Sequence, residues 1–142
     1  MQIRFVIPGE PKGKQRPKFS TYGGKVSTRT PEQTVLYENR VIMEYRRQCG
    51  NARFDDNSAL EMSVTAYYSI AKSTSAKKRE EMMRGNIRPT KKPDVDNVLK
   101  IIADSLNGVA YRDDSQIASA DIRKLYGYTP KVEVTIQDIY ER

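Results

Sequence analysis

The chain is organised around the stretch Lys92-Pro93-Asp94-Val95-Asp96-Asn97-Val98-Leu99-Lys100. Its proline disfavours a helical conformation in the residue before it, so the stretch should begin extended, and alternation in an extended chain places Asp94 and Asp96 on one side. From Asp96 onward, apolar residues recur at helical spacing, which predicts a helix that ends near residues 107–108. Asp96 and Lys100 are four residues apart on the polar face of that helix. The stretch therefore predicts two carboxylates and an ammonium group where a strand-like segment becomes a helix.

A second acidic pair, Asp113-Asp114, follows the predicted end of this helix and can fold back onto the first pair. Mg²⁺ is usually held by a few carboxylates together with waters and substrate phosphates, and a nearby ammonium can stabilise negative charge that develops on a phosphate. This pattern indicates metal-assisted phosphate chemistry. The residues alone also allow a structural interpretation, in which Asp96 caps the helix, Lys100 pairs with Asp96, and the second pair fills a turn.

Three segments together resemble a known family. They read Lys-Pro-Asp-Val-Asp-Asn-Val-Leu-Lys from residue 92, Asp-Ser-Leu-Asn-Gly from residue 104, and Tyr-Arg-Asp-Asp-Ser-Gln-Ile from residue 111. These segments resemble the RusA-type Holliday junction resolvases, closely over residues 91–125 and more loosely over residues 8–17 and 77–90. The resemblance implies a homodimeric, Mg²⁺-dependent endonuclease, with Mn²⁺ as a substitute ion, that acts on four-way DNA junctions in recombination and repair.

The resemblance also implies roles for individual residues. Asp94, Asp96 and Asp114 match the metal-site positions of the family, and Lys100 matches an essential lysine beside them. Asp113 is a weaker candidate. A metal-bound water is then expected to attack the scissile phosphorus while Lys100 stabilises the anionic transition state. A four-way junction has twofold character, so two sites are needed, and a C2 dimer supplies them.

Length, charge and composition narrow the classes of protein. The chain has 142 residues and a formal net charge of +7, which suits one domain over residues 1–142 and favours a polyanionic partner. Histidine is absent, which excludes imidazole bases and serine triads. The single cysteine, Cys49, excludes an internal disulfide and a cysteine zinc cluster. No apolar run approaches membrane length, so we expect a cytoplasmic protein without membrane contacts.

Two basic segments are the candidates for DNA contact. The loop after the first strand contributes Lys12, Lys14, Arg16 and Lys18, and the connector before the acids contributes Arg88, Lys91 and Lys92. The loop imitates a phosphate-binding P-loop, but its glycines are one residue too close and Gln15 replaces the required serine or threonine, so no nucleotide cofactor is expected. Positive charge beside the acids favours DNA, because acids alone would repel phosphate. An ordinary solvated surface is the alternative for both segments.

The sequence predicts an α+β domain with a mixed four-stranded sheet and helices packed against it. Strands are predicted near residues 3–7, 60–70, 117–126 and 131–137, and a hairpin turn is predicted near residues 22–25. A short helix is predicted from its cap Ser75 to Arg84, and a longer helix over residues 31–48 with Thr30 as its N-cap.

Two apolar stripes run along the predicted helix over residues 31–48. We expect the stripe of Val35, Leu36, Ile42 and Met43 to cover one face of the sheet. The second stripe consists of Tyr37, Val41 and Tyr45, and it is interpreted as core or as a dimer surface.

The expected function is that of a Mg²⁺-dependent, structure-specific endodeoxyribonuclease that resolves Holliday junctions. The alternative from a different class is a junction-binding or single-strand-binding module without catalysis, whose acids serve as helix caps and whose loops form the DNA footprint. Such a module would use aromatic side chains among its basic loops. The only aromatic residues near those loops are Phe19, Tyr22 and Tyr111, so the sequence favours the nuclease.

Overall fold

The computed structural model describes residues 1–29 and 31–140, without the side chains of residues 18, 20, 22 and 27–29. The elements in chain order are strands β1 (Gln2–Pro8), β2 (Lys18–Tyr22) and β3 (Lys25–Arg29), helix α1 (Glu32–Cys49), strand β4 (Leu60–Tyr68), helices α2 (Ala76–Met83) and α3 (Val95–Ser105), and strands β5 (Ile117–Tyr126) and β6 (Lys131–Asp138). The predicted cap Thr30 and the side chain of Lys18 lie outside the described part. None of the described helices is long and apolar enough to cross a membrane.

The main sheet has the strand order β1-β6-β4-β5. Strand β6 is antiparallel to both of its neighbours, whereas β4 and β5 are parallel, so the predicted mixed four-stranded sheet is confirmed. Every second side chain of β4 is buried, as expected for a strand with one face against helices, and these residues are Leu60, Met62, Val64, Ala66 and Tyr68. The predicted α+β fold class is therefore correct.

Strands β2 and β3 form a separate two-stranded ribbon, which periodicity in the sequence does not distinguish from the main sheet. Gly23 and Gly24 connect the strands with φ values of 60° and 79°, a conformation that glycine adopts without the steric cost other residues bear. The hairpin turn predicted at this position is confirmed. Phe19 and Val26 of the ribbon are exposed.

Helix α1 buries the opposite stripe from the one predicted to cover the sheet. Tyr37, Val41 and Tyr45 lie in the core, whereas Leu36 and Met43 are 62% and 57% exposed. The assignment of the two stripes was therefore wrong, and the tyrosine stripe is not a surface for a partner. The physical reason lies in the ring of Tyr45, which packs edge-on against Phe5 at 5.3 Å while its hydroxyl donates to the carbonyl of Ala52 at 2.6 Å. A buried tyrosine needs such a hydrogen-bond partner, and periodicity does not reveal one.

Helix α3 begins earlier than predicted. Asp94 is its N-cap residue, with φ −72° and ψ 155°, and Asp96 lies in the first helical turn. The expectation that alternation in an extended chain aligns these two acids was therefore wrong. The proline before Asp94 restrains only the residue that precedes it, and aspartate itself favours the N-cap position. The buried face of the helix carries Val98, Ile101, Ile102 and Ser105.

The two stripes of α1 give a direct test by substitution. Tyr45→Ala should lower the free energy of unfolding by about 3–5 kcal/mol, because it removes a fully buried aromatic side chain. Met43→Ala on the exposed stripe should change it by less than about 0.5 kcal/mol. Urea denaturation followed by circular dichroism measures both values. Equal losses from the two variants would contradict the orientation of α1.

Candidate functional site

A cleft of about 460 Å³ lies between the loop after β1 and the start of α3. Four of the predicted DNA-contacting residues line it, and they are Lys12, Lys14, Lys91 and Lys92. Asp94 lines the same cleft, together with Glu10 and Asn97. The structure thus brings one of the predicted metal-site acids next to lysines from both basic segments. Arg16 and Arg88 are exposed outside the cleft lining.

Close backbone contact holds the basic loop against the start of α3. The amide of Lys14 donates to the carbonyl of Asn97 at 2.9 Å. A Cβ atom on Gly13 would lie 2.8 Å from the Cβ of Pro93 and 3.0 Å from the Cβ of Asn97, which is closer than carbon atoms approach each other. Glycine is therefore required at this position by space. The two basic segments are separated in sequence but are joined at this contact.

Tyr68 supports the cleft from the end of β4. Its hydroxyl donates to the carbonyl of Pro93 at 2.8 Å, and the ammonium groups of Lys124 and Lys91 lie over its ring at 5.1 Å and 6.0 Å. Lys124 also donates to the carbonyl of Lys91. Burial, with smaller contributions from nearby Asp94 and Glu10, raises the pKa of Tyr68 to about 12, so this residue is a neutral phenol at physiological pH. Alternation in the sequence identified Tyr68 only as an inward-facing strand residue, and no pattern indicated Lys124.

Asp94 and Asp96 have exposed carboxylates. The side chain of Asp94 does not cap α3, although the residue occupies the N-cap position. Among the described residues, the ion pairs include neither acid and do not include Lys100, which is also exposed. The structural interpretation in which Asp96 caps the helix and pairs with Lys100 is therefore not what the structure shows. These three side chains face solvent with their charges unpaired within the described chain.

Asp113 has a structural role in the turn before β5. Its carboxylate accepts a hydrogen bond from the amide of Ser115 at 2.9 Å, and its own amide donates to the side chain of Gln116 at 3.2 Å, which completes a capping box. Hydrogen bonds from Ser115 hold the pKa of Asp113 below its ordinary value. The turn-filling interpretation of the second acidic pair therefore applies to Asp113.

Asp114 is placed differently from its neighbour. Its amide donates to the side-chain oxygen of Asn107 at 2.7 Å, and its half-buried carboxyl lies beside that of Asp104. Burial and then the neighbouring carboxyl of Asp104 raise the pKa of Asp114. Asp104 also lies 3.4 Å from the ammonium of Lys14, which is 3.1 Å from Glu38. Lys14 is thus a half-buried cation between two carboxylates rather than a free surface charge.

The predicted metal-site acids form two pairs on α3 rather than one cluster. Asp94 precedes the first turn of the helix, and Asp114 lies beside Asp104 in its last turn. Because an α-helix rises about 1.5 Å per residue, Asp94 and Asp104 are separated by roughly 15 Å. Within the part of the chain that the structure describes, no group of three acids, cysteines or histidines is close enough to hold a metal ion. Joint binding of a metal by Asp94, Asp96 and Asp114 stays a prediction.

Asp104 is the acid that sequence reasoning missed. It is four residues beyond Lys100 and eight beyond Asp96, so the three side chains follow one stripe along α3. That spacing was available in the sequence. The contacts from Asp104 to Lys14 and Asp114 come from distant segments, and no local pattern indicates them.

The fold and the site define a small basic α+β protein with carboxylates in a lysine-lined cleft, and comparison with known sequences gives its family. The family model described as Endodeoxyribonuclease RusA matches residues 8–137. The chain is 34% identical over 137 residues to an uncharacterized protein, YqaN, of Bacillus subtilis strain 168, with 96% of each chain covered. It is 31% identical over 141 residues to the crossover junction endodeoxyribonuclease rusA of Lactococcus phage r1t, covering 97% of this chain and 98% of the relative.

The chain therefore belongs to the RusA endodeoxyribonuclease family. The match spans the basic loop, the connector, helix α3 and both acidic pairs, so it covers every element that contributes to the cleft.

The contact of Gly13 with α3 can be tested by adding one methyl group. Gly13→Ala should lower the free energy of unfolding by about 1–3 kcal/mol, since the new Cβ must push the loop away from Pro93 and Asn97. Gln15→Ala, in the same loop but exposed, is the matched control and should change it by less than about 0.5 kcal/mol. Thermal melts of both variants measure the difference. Wild-type stability in Gly13→Ala would mean that the loop is not held against α3.

Proposed function

We propose that this protein is a Mg²⁺-dependent, structure-specific endodeoxyribonuclease that resolves four-way DNA junctions during recombination and repair. The observation that carries the proposal is the cleft in which Asp94 lies among four lysines. A DNA backbone approaches carboxylates only where cations offset the repulsion between phosphate and acid. Membership of the family and the similarity to a phage crossover junction endodeoxyribonuclease support the same activity.

The donor set at the start of α3 suits Mg²⁺. Hard divalent cations prefer carboxylate oxygens, and Asp94 and Asp96 are exposed acids that form no ion pair within the described chain. Asp114 is the third proposed ligand, with Asp113 as the weaker candidate because its carboxylate caps a turn. When bound, the ion supplies an activated water and polarises the phosphate. Mn²⁺ is the proposed substitute, since it accepts the same oxygen ligands.

The remaining charged residues bind and orient the DNA. Lys12, Lys91 and Lys92 line the cleft, and Arg16 and Arg88 extend the positive surface beyond it. Lys18 belongs to the same proposed surface. Lys14 contributes mainly by holding the loop in place, because two carboxylates already neutralise its charge. Lys100 lies between the two acidic pairs on α3, where its ammonium group can stabilise the charge that develops on the phosphate.

A four-way junction contains two equivalent strands to be cut. One copy of the chain has one such cleft, so we propose that the active form is a homodimer with twofold symmetry. Each protomer then cuts one strand, and the two cuts are related by the same axis that relates the arms of the junction.

The activity is tested with three labelled substrates, a four-way junction, a linear duplex and a flap, each incubated with Mg²⁺ or with EDTA. Conversion of the junction alone to nicked duplexes, and only with Mg²⁺, supports the proposal. Cleavage of all three substrates would identify a general nuclease. Tight junction binding without cleavage would identify the non-catalytic binding module and overturn the proposed function.

Asp94→Asn should reduce junction cleavage by at least roughly 10²-fold, the usual scale for losing one group that stabilises the transition state, while junction binding without metal is retained or strengthened. The variant removes one negative charge from the cleft, which weakens metal binding but not phosphate attraction. Asp113→Asn is the matched control, because asparagine caps a turn as well as aspartate does and cleavage should persist. Gel-shift assays and cleavage rates with Mg²⁺ separate the two effects. Parallel loss of binding and cleavage in Asp94→Asn, or early unfolding, would count against the role of Asp94.

Lys100→Ala should leave junction affinity nearly normal and lower the single-turnover rate on a saturated junction by at least roughly 10²-fold. Its charge lies on α3 without an ion-pair partner among the described residues, so the loss of that charge should not unfold the helix. A Lys100→Ala protein that cleaves at the wild-type rate would show that this lysine is only part of a solvated helix face.

The double variant Lys12→Ala/Arg16→Ala should show the opposite behaviour. Both residues are exposed, and removing the charge that neutralises one phosphate should lower the slope of log affinity against log salt by roughly 0.9 for B-DNA. The single-turnover rate at saturation should change little. Junction affinity measured over a series of salt concentrations checks the slope, and an unchanged slope would exclude these two side chains from the DNA surface.

A further inference from the structure

The two edges of the main sheet are treated differently by the rest of the fold. At the β1 edge, the side chain of Gln48 donates to the carbonyl of Val6 at 2.7 Å and accepts from its amide at 2.9 Å. Arg40 donates to the carbonyl of Pro8 at 3.2 Å, and the thiol of Cys49 donates to the carbonyl of Arg4 at 3.6 Å. Helix α1 thus satisfies the outward-facing backbone groups of β1. This edge is closed to another strand.

The β5 edge is open by the same criterion. Within residues 1–29 and 31–140, no loop or side chain hydrogen-bonds to the backbone of β5 from outside the sheet. The strand contains neither proline nor glycine, and its residues 118–121 are exposed. Helix α2 contacts β5 without making a backbone hydrogen bond to it. A long edge strand with unpaired amides and carbonyls is a template for another strand unless the fold blocks it.

We propose that β5 pairs in the antiparallel sense with β5 of a second copy, so that two four-stranded sheets become one continuous eight-stranded sheet. The proposal rests on the proposed function, because that function requires a homodimer. A twofold axis relates neighbouring antiparallel strands only when it is perpendicular to the sheet. Both helical layers, and therefore both lysine-lined clefts, then lie on the same face of the combined sheet.

The charge pattern of β5 selects one register. A perpendicular twofold axis must pass through a residue pair of the same number, and two choices pair nearly the whole strand. An axis at Asp121 would oppose residues 117–125 and set Asp121 against its own copy, which is repulsive. An axis at Ile122 opposes residues 118–126, sets Asp121 against Arg123 of the second copy twice, and brings the two Ile122 side chains together. The sequence of β5 is self-complementary only in this second register.

The side chains are already arranged for this pairing. Asp121 accepts from the hydroxyl of Ser63 at 2.7 Å, and Arg123 donates to the same carboxylate at 3.1 Å. Both lie on the face of the sheet away from the helices, close to the strand edge. The small residues Ala118 and Ala120 on the opposite face are exposed, so they leave room for the neighbouring chain.

The exposed stripe of α1 is a weaker candidate for the same contact. Leu36 and Met43 are apolar, but Arg40, Arg46 and Arg47 flank them and are also exposed. A twofold contact through this stripe would set arginines of the two copies against each other, whereas the β5 contact pairs opposite charges. The charge pattern therefore favours β5.

The test is a charge-reversal cycle read by sedimentation velocity over a range of protein concentrations. The wild-type chain should form dimers. Asp121→Arg and Arg123→Asp should each weaken dimerisation by at least roughly 10-fold, because each replaces two attractive pairs by two repulsive ones. The double variant Asp121→Arg/Arg123→Asp should recover dimerisation, since the exchanged pattern is again self-complementary. An equimolar mixture of the two single variants should form heterodimers, because every cross-chain pair is then attractive.

Leu36→Ala/Met43→Ala is the matched control on α1 and should leave dimerisation unchanged. Thermal melts of all variants check folding, and these side chains are exposed enough for the monomer to tolerate the changes. A wild-type monomer, single variants that dimerise like the wild type, or a double variant that does not recover would overturn the proposal. Loss of dimers in the control would transfer the contact to α1.

Junction cleavage measured on the same proteins separates this inference from the proposed function. A wild-type dimer that obeys the charge cycle but does not cut a junction would leave the β5 contact standing and refute the nuclease. A protein that resolves junctions but ignores the charge cycle would do the reverse. If both hold, the single variants should nick junctions in one strand more often than they cut both.

Discussion

The contact between Gly13 and the first turn of α3 is the constraint on which the site depends. Cations and carboxylates placed near each other tend to form ion pairs, and lysines that pair with Asp94 would neither hold a metal nor attract DNA. The loop is instead held by a backbone hydrogen bond from Lys14 to Asn97 and by close packing that only glycine allows. Because the contact uses no surface charge, Lys12 and Asp94 line one cleft without appearing among the described ion pairs.

Helix α3 distributes its charges in a way that follows from its dipole. Asp94 and Asp96 lie at the positive N-terminal end, where negative charge is stabilised. Asp104 lies near the negative C-terminal end, where the helix disfavours a carboxylate, and the ammonium of Lys14 offsets that cost at 3.4 Å. Asp114 is placed against Asp104, and its pKa is raised as a consequence. Lys14 therefore supports the second acidic pair in addition to the loop.

Local patterns in the sequence predicted the elements but not their orientations. Alternation identified β4 and β6, and caps identified α2, because those features depend on neighbouring residues. Periodicity gave α1 two apolar stripes and could not rank them, since the decision rests on the space beside Phe5 and a hydroxyl partner at Ala52. The restriction imposed by Pro93 was extended one residue too far along the chain, which misplaced Asp96. The triad of Lys14, Glu38 and Asp104 joins three distant segments, so no window of sequence contains it.

The two faces of the sheet are not equivalent for a polyanion. The face away from the helices carries charges of both signs that neutralise each other locally, as in the pairs of Lys131 with Glu133 and of Arg123 with Asp121. Fields from such pairs cancel within a few ångströms and are screened by salt beyond about 10 Å. The helical face instead has the lysines of the cleft, whose fields add in one direction. DNA is therefore attracted to the side that carries α3, and a dimer whose two copies share that side presents both clefts to one nucleic acid.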